Sequence, residues 1–269
     1  MGSNKANVFN KRQKIAPPEV RRMKGQNKCF IFSNRFEGTP HALPQNEIDE
    51  ENIAKTFKWL NFDVYECFNL SLSELQTALH EMLTEDFSDD ECIVCFFISH
   101  GGAGKNLYTN DKRKVNISDL VQNFVNCRQL NGKAKLFFVS ACRGNNWMET
   151  VEVEEEDKVS TADSKKKVKR AKDADVFIYF PTTEGNTAWG NKAKGSYFVD
   201  TLCRVLRDYG GSQSLSSIAL KVNDLLSKSV RNNPTGDTRD IVAVGEVQHT
   251  LTYKFFFNPK TPDFPEDYK

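Results

Sequence analysis

Two apolar runs stand out along the chain: Cys92–Ile98 (CIVCFFI) and Leu136–Val139 (LFFV). Runs this short and this uniform predict strands buried on both faces. Cys29–Ser33 predicts another strand, and Phe62–Phe68 alternates as a half-buried one does. Between these runs the period changes to that of helices. Asn46 can cap a helix running to about Leu60, with Ile48, Ile53, Phe57 and Leu60 on one side. Ser71 and Glu74 form a capping box ahead of a helix that buries Leu72, Leu75, Leu79, Met82 and Leu83. A polar loop, Ala103–Lys114, leads to a helix from Ile117 to about Leu130.

The second half repeats the alternation. Asp175–Phe180 predicts a strand, and Thr182–Lys194 a loop that holds Trp189. Helices follow at about Ser196–Tyr209 and Ser214–Val230. Thr250–Phe257 predicts the last strand, closed by Pro259. Strands alternating with amphipathic helices predict right-handed crossovers and an α/β fold, with a mostly parallel sheet covered by helices on both faces.

Two segments stand outside this rhythm. Residues 1–24 form a short basic arm without apolar periodicity, expected to lack structure. Its start, Met1-Gly2-Ser3-Asn4-Lys5-Ala6, approaches a myristoylation pattern but carries Ala where Ser or Thr belongs, so a membrane partner is not expected. Asn145–Lys172 holds an acidic block, Glu149–Asp157, and a basic one, Lys165–Lys172. Such blocks read as solvated linker.

Composition narrows the function classes. The chain has 269 residues and a net charge of +1, which gives no electrostatic case for nucleic acid. No apolar stretch reaches the ~18 residues of a membrane span, and the polar start is no secretory signal. Seven scattered cysteines do not form a disulfide framework and fit a reducing cytoplasm. His41, His80, His100 and His249 show no ligand spacing with Cys, Asp or Glu, so neither a metal nor an organic cofactor is expected.

The chemistry concentrates at two strand ends. The LFFV run ends at Ser140 and Ala141, which deliver Cys142, and Arg143-Gly144 turns the chain away. The CIVCFFI run leads through Ser99 to His100 and two glycines. Parallel strands finish at one edge of a sheet, where open α/β folds place their sites. His100 and Cys142 therefore meet although they are 42 residues apart. A thiol beside a base is an activated nucleophile. The N–H groups of Gly101 and Cys142 can serve a developing oxyanion.

These residues resemble the caspases. Ser140-Ala141-Cys142-Arg143-Gly144 is similar to the caspase nucleophile pattern Q-A-C-[RQG]-G, with serine at the glutamine position. Ser99-His100-Gly101 looks like the family's histidine motif, and the likeness runs from about Lys28 to Pro259. It implies a three-layer sandwich around a six-stranded, mostly parallel sheet. It implies a cytoplasmic thiol protease of the short-prodomain type, made as a zymogen and acting in apoptosis-type signalling on protein or peptide substrates. The chain then divides into the arm (1–24), a large-subunit region (25–148), a linker (149–173) cut after Asp163 or Asp157, and a small-subunit region (174–269). The family's last strand pairs with its twin across a dimer axis, so a homodimer or a heterodimer with another caspase is expected. Phe255–Phe257 are consistent with that interface, and a buried central strand explains them equally well.

The resemblance also exposes a departure. Caspases hold the carboxylate of a substrate aspartate with two arginines and the motif's glutamine. Here those positions fall near Leu43, on Gly190 (after Trp189, which shapes the substrate groove) and on Ser140. Charge-assisted hydrogen bonds contribute about 1.5–3 kcal/mol each. Their loss removes a preference for aspartate by roughly a thousandfold or more, unless Lys192, Lys194 or Arg35 takes their place. Two readings stay open: an active endopeptidase with a rearranged pocket, or a catalytically impaired regulator of an active caspase.

Overall fold

Three seven-residue strands lie side by side at the centre of the molecule, and they are the apolar runs of the sequence. In the computed structural model, residues 16–144, 148–149, 171, 173–191, 193–229, 231–232 and 240–265 are described. In chain order the first half comprises β1 (Glu19–Arg22), β2 (Asn27–Ser33), α1 (Asn46–Trp59), β3 (Phe62–Phe68), α2 (Leu72–Thr84) and β4 (Cys92–Ile98). Then come β5 (Gly101–Gly102), β6 (Asn106–Tyr108), β7 (Lys114–Asn116), α3 (Ile117–Asn126) and β8 (Ala134–Ser140). The second half holds β9 (Met148–Glu149), β10 (Val176–Phe180), β11 (Gly190–Asn191), β12 (Gly195–Ser196), α4 (Tyr197–Tyr209) and α5 (Leu215–Lys228). It closes with β13 (Arg231–Asn232), β14 (Asp240–Val242), β15 (Glu246–His249) and β16 (Tyr253–Phe256).

The main sheet has six strands in the order β15-β10-β8-β4-β2-β3, all parallel except β15. Every residue of β4 and β8 is buried. Alternate side chains serve opposite faces. Phe96 and Phe138 stack 4.9 Å apart on the face covered by α1, α4 and α5. Phe97 and Phe137 stack on the other face, which α2 and α3 cover. The three layers are those the sequence implied. The Ser71–Glu74 capping box forms, and the hydroxyls of Ser196 and Ser214 cap α4 and α5.

Four details differ from expectation. Asn46 does not cap α1; its amide donates to the Asn34 carbonyl at 3.0 Å and ties the helix start to the end of β2. The loop after His100 is not featureless, for β5, β6 and β7 form a small antiparallel sheet that holds the histidine's flank. The N-terminal arm is not wholly unstructured: β1 pairs in parallel with β16. The last strand therefore lies apart from the main sheet, in a two-stranded sheet with β1. Phe255 and Phe257 share one face and are buried in this one chain's core, while Phe256 between them is half-buried. The outer strand of the main sheet is β15, paired only with β10 among the described residues. Asp163 and Asp157 lie outside the described residues, whereas Asp175 is buried with its carboxylate on Thr252.

Candidate active site

The register of β4 on β8 carries His100 and Cys142 to one edge. Ile98 faces Ser140, and the Ser99 N–H donates to the Ser140 carbonyl at 3.2 Å. One step further, Gly101 packs against the Cys142 carbonyl and the Ala141 Cβ so tightly that any side chain at Gly101 would collide with both. Glycine is required there by that close approach. His100 and Cys142 line one cleft of about 130 Å³.

The histidine is oriented by a group no sequence motif displays. His100 Nε2 lies 2.7 Å from the main-chain carbonyl of His41. A carbonyl only accepts, so Nε2 carries a proton, and in the neutral imidazole Nδ1 holds the lone pair. The Phe36 ring stands 5.0 Å from the imidazole, and the His41 ring 6.2 Å from it edge-on. His100 also lines a separate apolar hollow of about 220 Å³, bounded by Phe36, His41, Tyr108 and Lys112.

Cys142 is half-buried, its Sγ 3.8 Å from the Ala188 carbonyl. Burial pushes its thiol above the usual cysteine value, so it rests protonated and needs a base to attack. The Cys142 N–H makes no hydrogen bond to another described residue. Arg143 turns inward. Its guanidinium donates to the Thr182 carbonyl at 3.0 Å, pairs with Glu184 and Glu246, and lies 4.2 Å from the centre of the Phe180 ring. Burial works against the Glu246 charge, yet bonds from Arg143 and Gln248 hold its carboxyl below the usual range. The nucleophile turn is thereby tied to the outer strand β15.

On the other side of Cys142 stand Leu43, Gln45, Asn46, Ser140, Trp189, Gly190, Ser196 and Phe198. Leu43, Ser140 and Gly190 thus share one cleft with the thiol. The Ser140 hydroxyl lies 3.3 Å from that of Ser196. Behind this wall, the Asp49 carboxylate accepts from the Ser196 N–H at 2.8 Å, and burial pushes its carboxyl up to about 7. Gly195, at φ +82°, leaves room for that carboxylate. Arg35 is not free to enter the cleft: Glu50 grips it, with Glu47 at 3.4 Å and Glu37 at 3.6 Å. Lys194 is exposed and does not line the cleft, and Lys192 lies outside the described residues.

Comparison with known proteins settles the family. A family model described as the caspase domain matches residues 26–255. The chain belongs to the caspase family. Caspase-7 of Gallus gallus is 32% identical over 202 residues, a stretch that is 73% of this chain and 65% of that protein. Caspase-8 of Rattus norvegicus is 27% identical over 88% of this chain, and only 52% of that relative is spanned. Caspase-6 of Mus musculus is 28% identical over 94% of this chain and 96% of its own length. The crystal structure of caspase-1 from Spodoptera frugiperda superposes with a TM-score of 0.78 at 24% identity, covering 88% of this chain and 94% of that one. The fold is accordingly a caspase fold, and the domain is that of a cysteine-type endopeptidase family. Among the described residues no helix is long and apolar enough to cross a membrane.

Proposed function

We propose that the protein is a cysteine endopeptidase in which Cys142 and His100 form the catalytic pair. The observation that carries this reading is the His100 Nε2–His41 carbonyl bond, which leaves Nδ1 as the base at the edge where Cys142 stands. His100 Nδ1 takes the thiol proton as Sγ bonds to the substrate carbonyl carbon. The N–H groups of Gly101 and Cys142 stabilise the oxyanion. The C–N bond breaks as His100 returns the proton to the leaving amine. Water, deprotonated by His100, then attacks the thioester; the C–S bond breaks and the thiol is restored. Trp189 bounds the groove in which the substrate chain lies.

The cleft beside Cys142 holds no lysine or arginine among its described lining residues. The pocket therefore does not favour aspartate before the cut. Residues 149–173 serve as the intersubunit linker, cut after Asp163 or Asp157, which converts a zymogen to large (25–148) and small (174–269) portions. Two copies, or this chain and another caspase, pair along β15 in the cytoplasm, in apoptosis-type signalling. The same neutral cleft favours a second reading: an impaired member that regulates an active caspase by pairing with it.

The test is a cleavage assay on a peptide library varied before the scissile bond. Turnover by the wild-type protein, lost in Cys142→Ala, supports the enzyme. No turnover from a folded protein, with a change in a partner caspase's activity that survives Cys142→Ala, supports the regulator.

A further inference from the structure

Gln45 sits where a substrate side chain would be read. It precedes α1, is half-buried, and lines the cleft together with Ser140, Cys142 and Gly190. Its Cγ stands 3.6 Å from the place a Cβ on Gly190 would occupy, so its side chain lies over that glycine. It contributes no side-chain cap to α1, and its carboxamide makes no hydrogen bond to another described residue. Its donor and acceptor thus stand without a partner among the described residues, beside a half-open cleft of about 130 Å³.

We propose that Gln45, helped by the Ser140 hydroxyl, makes this a pocket for a carboxamide: the residue preceding the cut is asparagine or glutamine. The proposal rests on the peptidase reading for its catalytic consequence, though not for the recognition itself. A carboxamide offers one acceptor oxygen and two N–H donors, which match the mixed donor–acceptor character of Gln45 and the hydroxyls of Ser140 and Ser196. A carboxylate offers acceptors only. It would find no cation on the described walls. An apolar guest would strip water from the Gln45 amide without replacing its bonds. A cationic guest has no carboxylate on the cleft wall, because Asp49 is 1% exposed and turned to Ser196. Sites built to hydrogen-bond a substrate group discriminate strongly against analogues that lack it.

The experiment uses the full chain. Fluorescent peptides carrying Asn, Gln, Asp, Leu or Arg before a reduced, uncleavable bond are titrated onto Cys142→Ala protein. The cleavable counterparts are given to the wild-type enzyme. The Asn and Gln peptides are expected to bind at least about tenfold more tightly than the others, and Gln45→Ala is expected to remove about tenfold of that advantage. Gln45→Ala removes no hydrogen bond among the described residues, and circular dichroism checks that the fold is kept. Equal binding, tighter binding of Asp, Leu or Arg peptides, a preference that survives Gln45→Ala, or no binding at all overturns the proposal. Carboxamide-selective binding without turnover overturns the peptidase reading and leaves the recognition standing. Turnover without carboxamide preference does the reverse.

Discussion

The two sides of Cys142 are built by different means. On one side, His100 and the Gly101 main chain are placed by the ladder between β4 and β8, two strands that are buried throughout. On the other, Leu43, Gln45 and Gly190 arrive from the segment before α1 and from the loop that ends in the β11–β12 hairpin. Shifting a buried strand by one residue turns its apolar set outward, so the ladder fixes the catalytic pair as firmly as it fixes the core. Loop side chains answer to far fewer neighbours. The reactive half of such a site therefore persists through changes that rewrite the selective half.

Removing the nucleophile breaks the comparison hardest. Cys142→Ala is expected to lower turnover at least about ten-thousandfold while the melting temperature stays within a few degrees, as peptide assays and calorimetry would show. A large loss of stability would mean that the thiol serves the core rather than the chemistry.

Rebuilding the selective half comes next. The combined substitution Leu43→Arg, Ser140→Gln and Gly190→Arg restores three donors to a carboxylate. A Cβ at Gly190 meets its nearest neighbours at 3.4 Å, so the backbone accepts a side chain there. Cleavage after aspartate is expected to rise by roughly a thousandfold in kcat/KM. An unchanged preference would show that the walls do not set specificity.

Asp49 sharpens the contrast from behind the pocket. Its carboxyl is raised to about 7 by burial, so its neutral form belongs to the folded state. The stability it contributes is full below the unfolded value near 4 and is lost as pH rises towards 7. Asp49→Asn keeps an acceptor for Ser196 and carries no charge. It is expected to stabilise the fold above pH 7 by up to about 4 kcal/mol, and to have little effect near pH 4. Urea unfolding at the two pH values measures this; equal effects at both would contradict it.

The smallest expected change joins the catalytic turn to the sheet edge. Glu246→Gln weakens one of two carboxylate contacts of Arg143 and is expected to cost about 1–2 kcal/mol at pH 7. Because bonds from Arg143 and Gln248 hold the Glu246 carboxyl below its usual range, that difference is present above the usual carboxylate range and is lost as pH falls through the lowered folded value. Hydrogen exchange at residues 141–144 is expected to rise with it.

Much of this contrast was legible in the sequence. The CIVCFFI and LFFV runs read as buried strands because nothing polar interrupts them, and the Ser71–Glu74 capping box marked the start of α2. The edge strand β15 was hidden because EVQH is half-exposed and has no apolar alternation. The three phenylalanines drew attention to β16 instead, where β1 and the chain's own core cover them. The His41 carbonyl is a main-chain group and leaves no mark in a side-chain pattern. Gln45 was missed because a glutamine before a helix reads as solvated until Gly190 is seen beneath it.

The central claim is that Cys142 alone among seven cysteines is a nucleophile, and that His100 makes it one. The direct measurement is mass spectrometry of the protein after treatment with a peptidyl acyloxymethyl ketone carrying asparagine at the reactive end. One adduct, on Cys142, that forms at least about a hundredfold more slowly in His100→Ala is the predicted result. Adducts spread over Cys67, Cys127 and Cys142, or an equal rate without the imidazole, would contradict it.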